Sequence, residues 1–192
     1  PVLDRATPAS VRSPFEPWRS QVESIQAAIT EGTLDKAVAS TRAHFVFDRA
    51  IDVPRVLMHL RARFAGCTIF AFRRGDITFL GATPENLLRR RGDSLHTEAL
   101  AGSAAPDDAE QLARSVKDHH EHRLVVDAIV GALEPFADAI DVDATRVHEL
   151  PNVAHLRTPI RARVREASTL PLVGALHPTP AVGGTPREAA LR

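Results

Sequence analysis

The chain has 192 residues, 44% of them apolar and 25% charged, and its 24 basic and 24 acidic side chains cancel. That balance is globular, fits one domain or part of a larger one, and gives no net field to attract nucleic acid or an anionic membrane surface. The single cysteine, Cys67, rules out an intrachain disulfide and any cysteine-based zinc cluster; with no apolar run long enough to span a bilayer and no signal-peptide pattern, a cytoplasmic location is expected.

Residues 1–16 are rich in Pro, Ser and Arg and read as a lead-in loop. Trp18, Val22, Ile25 and Ile29 recur at helical spacing, with Gly32 as the stop. Residues 36–48 read as a strand. Asp52 caps a second helix with Pro54 in its first turn, an apolar face of Val56, Leu57, Leu60 and Phe64, and Gly66 at its end. Strands are predicted at 67–73, 76–82, 87–91 and 94–101. Gly75-Asp76 and Gly92-Asp93 are hairpin turn signals, so the four strands predict an antiparallel meander.

Asp107-Asp108 opens a long helical region reaching about Phe136, with Leu124, Val125, Ala128, Ile129 and Leu133 as its apolar face. Its half from Leu112 to His122 is more polar and is expected to face a cavity or solvent. Strands follow at 140–148 and 153–164, then a short helix around 170–176. Thr185-Pro186 with Glu188 reads as a capping-box start of a helix that the chain end cuts short. This order favours an α+β fold, antiparallel sheets with helices packed on the outside, over a doubly wound parallel sheet.

Several residues have types and settings suited to chemistry. Glu85 follows Pro84 at the end of a strand, where the prolyl ring fixes the entry path; a carboxyl at such a corner can serve as a general acid, although a surface turn carboxylate looks the same in sequence. Lys36 opens a strand after Asp35 and reads either as a surface cation or as a half-buried proton acceptor. The run Lys117-Asp118-His119-His120-Glu121-His122 places Asp118, Glu121 and His122 about one turn apart. The zinc pattern His-Glu-x-x-His fails, because Leu124 stands where the second His belongs. A lone carboxylate such as Glu121 suits magnesium better, since that ion takes one or two protein carboxylates and fills its shell with water and substrate oxygens. His155 lies in an apolar strand and reads as a satisfied core histidine. His177-Pro178-Thr179-Pro180-Ala181 with Gly183-Gly184 reads as a rigid bend whose N–H groups around 181–184 are open to a carboxylate, beside a helix capped by Thr185.

In order, the segments Asp35-Lys36-Ala37-Val38, Leu80-Gly81-Ala82-Thr83-Pro84-Glu85, Leu100-Ala101-Gly102-Ser103, Ser115-Val116-Lys117-Asp118 to Glu121-His122, His155-Leu156 with Thr158, and His177 to Pro186 resemble the chorismate-binding enzyme family. The His-Pro-Thr-Pro-Ala bend is similar to the isochorismate synthase branch. The resemblance implies a partial chorismate-binding catalytic domain over 17–192, with chorismate as substrate and Mg2+ as cofactor. It implies that Lys36 takes a proton from water attacking C2, that Glu85 protonates the departing C4 hydroxyl, and that Glu121 contributes to the metal. Ala101, Gly102, Ser103, His155, Thr158 and Ala181 are implied to contact substrate. The lysine block departs from the family pattern in continuing Ala37-Val38-Ala39-Ser40-Thr41-Arg42. The family's C-terminal third, with a substrate-binding Arg and a further metal ligand, is expected beyond residue 192. A salicylate synthase of the same family and a non-catalytic fragment are the alternatives. A monomer is expected, with no nucleic-acid or membrane partner.

Overall fold

The structure, a computed structural model, describes residues 10–12, 15–150, 152–165 and 168–191. In chain order its elements are β1 (Ser10–Arg12), α1 (Phe15–Thr30), β2 (Lys36–Ala37), β3 (His44–Val46), α2 (Val53–Arg63), β4 (Thr68–Arg74), β5 (Ile77–Thr83), β6 (Arg89–Arg91), β7 (Ser94–Ala104), α3 (Ala109–Arg114), α4 (Val116–Leu133), β8 (Ala137–Val142), β9 (Arg146–Leu150), β10 (Val153–Val164), α5 (Leu170–Leu176), β11 (Gly184–Thr185) and α6 (Arg187–Ala190). The fold is α+β, and every strand pairing among these elements is antiparallel. No helix among the described residues is long and apolar enough to cross a membrane. The chain divides into two compact units, Pro1–Gln21 with Ser40–Glu85, and Val22–Ala39 with Asn86–Arg192.

In the first unit the Asp52 carboxylate accepts from Arg55 N at 3.1 Å and starts α2, as its cap sequence predicts. The helix packs on the β4–β5 hairpin, whose turn holds Gly75 at φ 60°. Gly81 stands opposite Phe70, and a Cβ on it would lie 2.9 Å from the Phe70 ring, so the absence of a side chain lets that ring lie over the ladder. β1 pairs with β3, so the lead-in expected as loop contributes a strand within its described part; residues 1–9, 13 and 14 lie outside the described residues.

The predicted meander is not formed. β4 and β5 make a sheet of two strands, and β6 pairs instead with β7 in the second unit. Pro84, directly after β5, has no N–H with which to extend that ladder. The strand expected over 36–48 is likewise two short strands with different partners, β2 on β11 and β3 on β1.

The second unit is built on a five-stranded sheet in which β7 and β10 are the long central pair, β6 flanks β7, and β8 and β9 both pair with β10. The single strand expected over 140–148 breaks between β8 and β9 opposite Pro159, which has no N–H to give; Asp143 N still donates to the Pro159 carbonyl at 3.0 Å before the chain turns away. Strict alternation along β10 buries Ala154, Leu156, Thr158, Ile160, Ala162 and Val164 on one face. There Ile160, Ala162 and Val164 meet Leu95, Ala99 and Ala101 of β7, Val125, Ile129 and Leu133 of α4, and Leu172 and Leu176 of α5, while Ala154 and Leu156 form a second cluster with Leu112 of α3. Each large apolar side chain sealed in this way contributes about 1.5–3 kcal/mol. The opposite face is polar, with Arg157 on Glu98 at 2.6 Å and Arg161 on Asp141 and Asp143 at 2.8 and 2.7 Å.

The long helix expected over 107–136 is interrupted at Ser115. Its N–H closes α3 on the Leu112 carbonyl, while its hydroxyl accepts from Asp118 N at 3.2 Å and caps α4. A Ser three residues before an Asp is a start signal strong enough to restart the helix. The segment expected to face a cavity or solvent does so between its limits, residues 113–121 being exposed or half-buried, whereas Leu112 and His122 at its ends are each 2% exposed.

Candidate active site

The second unit brings together groups from distant parts of the chain. β2 pairs with β11, Lys36 opposite Thr185 and Ala37 opposite Gly184, and the ladder is extended by Asp35 N to Thr185 O and Val38 N to Gly183 O, both 2.8 Å. Gly184 is required by the closeness of this approach. A Cβ on it would lie 2.2 Å from the Lys36 carbonyl oxygen and 2.7 Å from Ala190 Cβ. The pairing draws Thr185 into the ladder, so it does not cap the last helix as its sequence predicts; Pro186 takes the cap position with no side-chain bond. Thr185 Oγ1 is buried without a hydrogen-bond partner among the described residues.

The ladder carries the Lys36 side chain inward to 7% exposure. Its Nζ donates to the Pro180 carbonyl at 2.7 Å and lies 3.3 Å from Glu121 Oε1. A buried amine needs such acceptors, because removing a polar head from water without them is costly. Glu121 is on α4, its side chain one-third exposed at 34%. The Pro180 carbonyl is set by the bend after α5. Leu172 and Leu176 anchor that helix in the core, and Arg187 bonds back to the carbonyls of Gly174, Ala175 and His177 at its end. Within the bend the Thr179 carbonyl accepts from both Val182 N and Gly183 N, at 3.1 and 3.0 Å. Those two N–H groups, expected to receive a carboxylate, are therefore already used. Ala181 is half-buried there and packs on the core cluster.

A second group lies one residue along α4. His122 is buried, with Nδ1 3.2 Å from the Ala101 carbonyl and Nε2 2.7 Å from Thr158 Oγ1, and Thr158 Oγ1 is 2.8 Å from Thr145 Oγ1. Burial pushes the His122 imidazole below its ordinary value; the Ala101 bond opposes this and repulsion from His119 adds to it. Ala101 adjoins a bulge at which the β7–β10 register slips between His155 and Leu156, and Gly102 there has φ 75°. A Cβ on Gly102 would meet Asp118 Cβ at 3.3 Å, so α4 lies directly against the bulge.

The implied substrate contacts do not all share one surface. Thr158 is 1% exposed and its hydroxyl is engaged by His122 and Thr145. Ala101 and Gly102 are buried beneath α4. Ser103 and His155 face the other way, and Ser103 Oγ bonds His155 Nδ1 at 2.9 Å. His155 is half-buried on the polar face of β10, so it is not the core histidine its apolar surroundings predict. Glu85 closes the first unit, half-buried after Pro84, its N–H donating to Thr83 Oγ1 at 3.2 Å. The Pro180 carbonyl and Thr145 were not singled out from sequence as site residues, and Gly184 was read there as part of a carboxylate-binding bend, not as the close approach to Lys36. The Gly183-Gly184 pair is a signal for close approach, whereas a backbone carbonyl and a lone Thr give none.

Among the described residues no group of three or more His, Cys, Asp or Glu is arranged to hold a metal, so a closed zinc-type site is not formed. A single carboxylate that keeps partial access to water does fit magnesium, which leaves most of its shell to water and substrate.

The family model for chorismate binding enzyme matches residues 4–192. The salicylate biosynthesis isochorismate synthase of Pseudomonas aeruginosa is 46% identical over 185 residues, covering 91% of this chain and 38% of that protein. The isochorismate synthase DhbC of Bacillus subtilis is 34% identical over 196 residues, covering 91% and 48%. The solved structure of MenF, the menaquinone-specific isochorismate synthase of Escherichia coli, superposes with a TM-score of 0.90 at 32% identity, covering 100% of this chain and 47% of that one. The chain thus spans less than half the length of these relatives. Its matched span and its fold agree, and the chain belongs to the chorismate-binding enzyme family.

Proposed function

We propose that the protein to which this chain belongs is an isochorismate synthase, converting chorismate to isochorismate with Mg2+. The observation that carries the reading is the inward-turned Lys36, held beside Glu121 in a chain whose relatives bear that name.

In this reading Lys36 accepts the proton of the water that attacks C2. Its Nζ donates to the Pro180 carbonyl and stands 3.3 Å from the Glu121 carboxylate, and these two fixed groups hold the amine in place for proton transfer. Glu85 delivers a proton to the C4 hydroxyl as it leaves. The new C–O bond at C2 and the broken one at C4 are linked by a shift of the ring double bond, so one proton is taken and one given, and the product is an isomer of the substrate. Glu121 would hold the magnesium ion, which supplies positive charge to the substrate carboxylate. Ser103, His155 and Ala181 remain candidates for substrate contact. Ala101 and Thr158 act from beneath the sheet surface, through their neighbours.

The test is to incubate the full-length protein with chorismate and magnesium and separate the products by chromatography. Isochorismate alone supports the reading. Salicylate with pyruvate would assign the protein to salicylate synthesis, and no turnover would leave it a binding protein.

A further inference from the structure

We propose that His122 is a positioning residue: as the Nδ1–H tautomer it ties α4 to the Ala101 carbonyl and thereby sets the angle at which Glu121 is presented to Lys36. The inference rests on the functional reading above.

The hydrogen-bond directions follow from what each partner can do. The Ala101 carbonyl only accepts, so the nitrogen facing it, Nδ1, carries the proton. The ring is 2% exposed and its two partners are a carbonyl and a hydroxyl, neither charged, so the neutral ring is the form that this setting supports. Nε2 is then an acceptor and takes the Thr158 hydroxyl proton. The Thr158 oxygen in turn accepts from Thr145. The chain of bonds runs one way, from Thr145 through Thr158 and His122 to Ala101, and joins the β8–β9 link, β10, α4 and β7.

This tether does something that the rest of the helix interface does not. The other buried side chains of α4, Val125, Ile129 and Leu133, are aliphatic. Apolar burial is non-directional, and a helix held by it alone can roll or slide at small cost. Hydrogen bonds at both nitrogens of a planar ring fix one rotation. His122 is adjacent to Glu121, so that rotation decides whether the carboxylate stands 3.3 Å from Lys36 or is turned away. Gly102, lacking a side chain, lets the bulge lie close to Asp118, one turn earlier on the same helix. A displacement of about 1 Å in such a site can cost about 10²-fold in rate.

The experiment compares three variants in the full-length protein. His122→Asn can place an amide N–H where Nδ1 stands, the longer His122→Gln places its amide at the Nε2 position toward Thr158 and past the Ala101 carbonyl, and His122→Leu retains neither. The expected result is turnover within a few-fold of wild type for Asn, and losses of about 10²-fold, with a weakened magnesium half-saturation, for Gln and Leu. Equal losses in all three folded variants, or none in Leu, overturn the inference. If Leu does not fold, Thr158→Val against Thr158→Ser takes its place, with Ser expected to retain activity and Val to lose it. Nitrogen NMR of the wild-type ring is independent of turnover: Nδ1 is expected to carry the proton, and an Nε2–H ring overturns the tether. Failure of the functional reading itself shows separately, as a wild-type protein that makes no isochorismate while the ring retains its tautomer.

Discussion

Lys36 Nζ stands 3.3 Å from Glu121 Oε1, and this ion pair is built from a two-residue strand and the second turn of α4. Neither element would hold its residue there alone. The strand is fixed by β11, and the helix by the core beneath the five-stranded sheet.

The first prediction concerns that amine. Lys36→Ala is expected to lower kcat by about 10² or more, and Lys36→Arg by a similar factor, because a guanidinium keeps its proton and cannot serve as a base. Steady-state turnover at saturating chorismate checks this. Rates near wild type in both variants would remove Lys36 from proton transfer.

Glu85→Gln preserves the shape of the side chain and removes its acidic proton. Turnover is expected to fall by about 10²-fold with little change in KM. A loss confined to KM would recast Glu85 as a binding group.

Glu121→Ala is expected to raise the magnesium concentration needed for half-maximal rate. The titration is best read beside Asp118→Ala, because Asp118 is engaged with Ser115 at the helix cap and not with Lys36. Unchanged magnesium dependence in Glu121→Ala would clear it of a metal role.

Two glycines make a stability test with opposite signs. Gly184→Ala forces a methyl group to 2.2 Å from the Lys36 carbonyl, and a loss of at least about 1–3 kcal/mol is expected together with reduced turnover. Gly131→Ala lies in α4 with nothing within 4 Å of its new methyl, and a gain of about 0.5–1 kcal/mol is expected. Thermal melts of both variants decide it; a stabilised Gly184→Ala would contradict the tight β2–β11 approach.

Asp143 supplies a pH test. The hydrogen bond from Arg161 holds its carboxyl below the ordinary 3.8, so the folded state releases this proton more readily than the unfolded chain. Stability from the pair is therefore complete above about pH 3.8 and is lost as pH falls through the lower folded value. Melts of wild type and Arg161→Ala should differ near neutrality, by a small amount that salt reduces because the pair is exposed, and should converge in acid. A gap that widens in acid would reverse the assignment.

Local signals along the chain were legible where the forces are local. The Asp52 cap, the β4–β5 and β6–β7 hairpins with Gly75 and Gly92 in their turns, β10 and α5 all follow from propensity, capping and alternation. Two of the misread elements failed at a point where a partner strand intervened. Pro159 breaks β8 from β9 across the sheet, and Thr185 is taken from its helix by β2. Ser115, which divides the long helix, acts instead through a local cap on Asp118 N.

The residue types that could do acid, base and metal chemistry, and their likeness to one enzyme family, were present in the order of amino acids, because side-chain chemistry travels with its residue. Their geometry was not. Lys36 faces the Pro180 carbonyl, and His122 the Ala101 carbonyl, only because strands and helices far apart in the chain pack side by side. A carbonyl is the same in every residue, so nothing in a one-dimensional string marks which one a buried amine or imidazole will find.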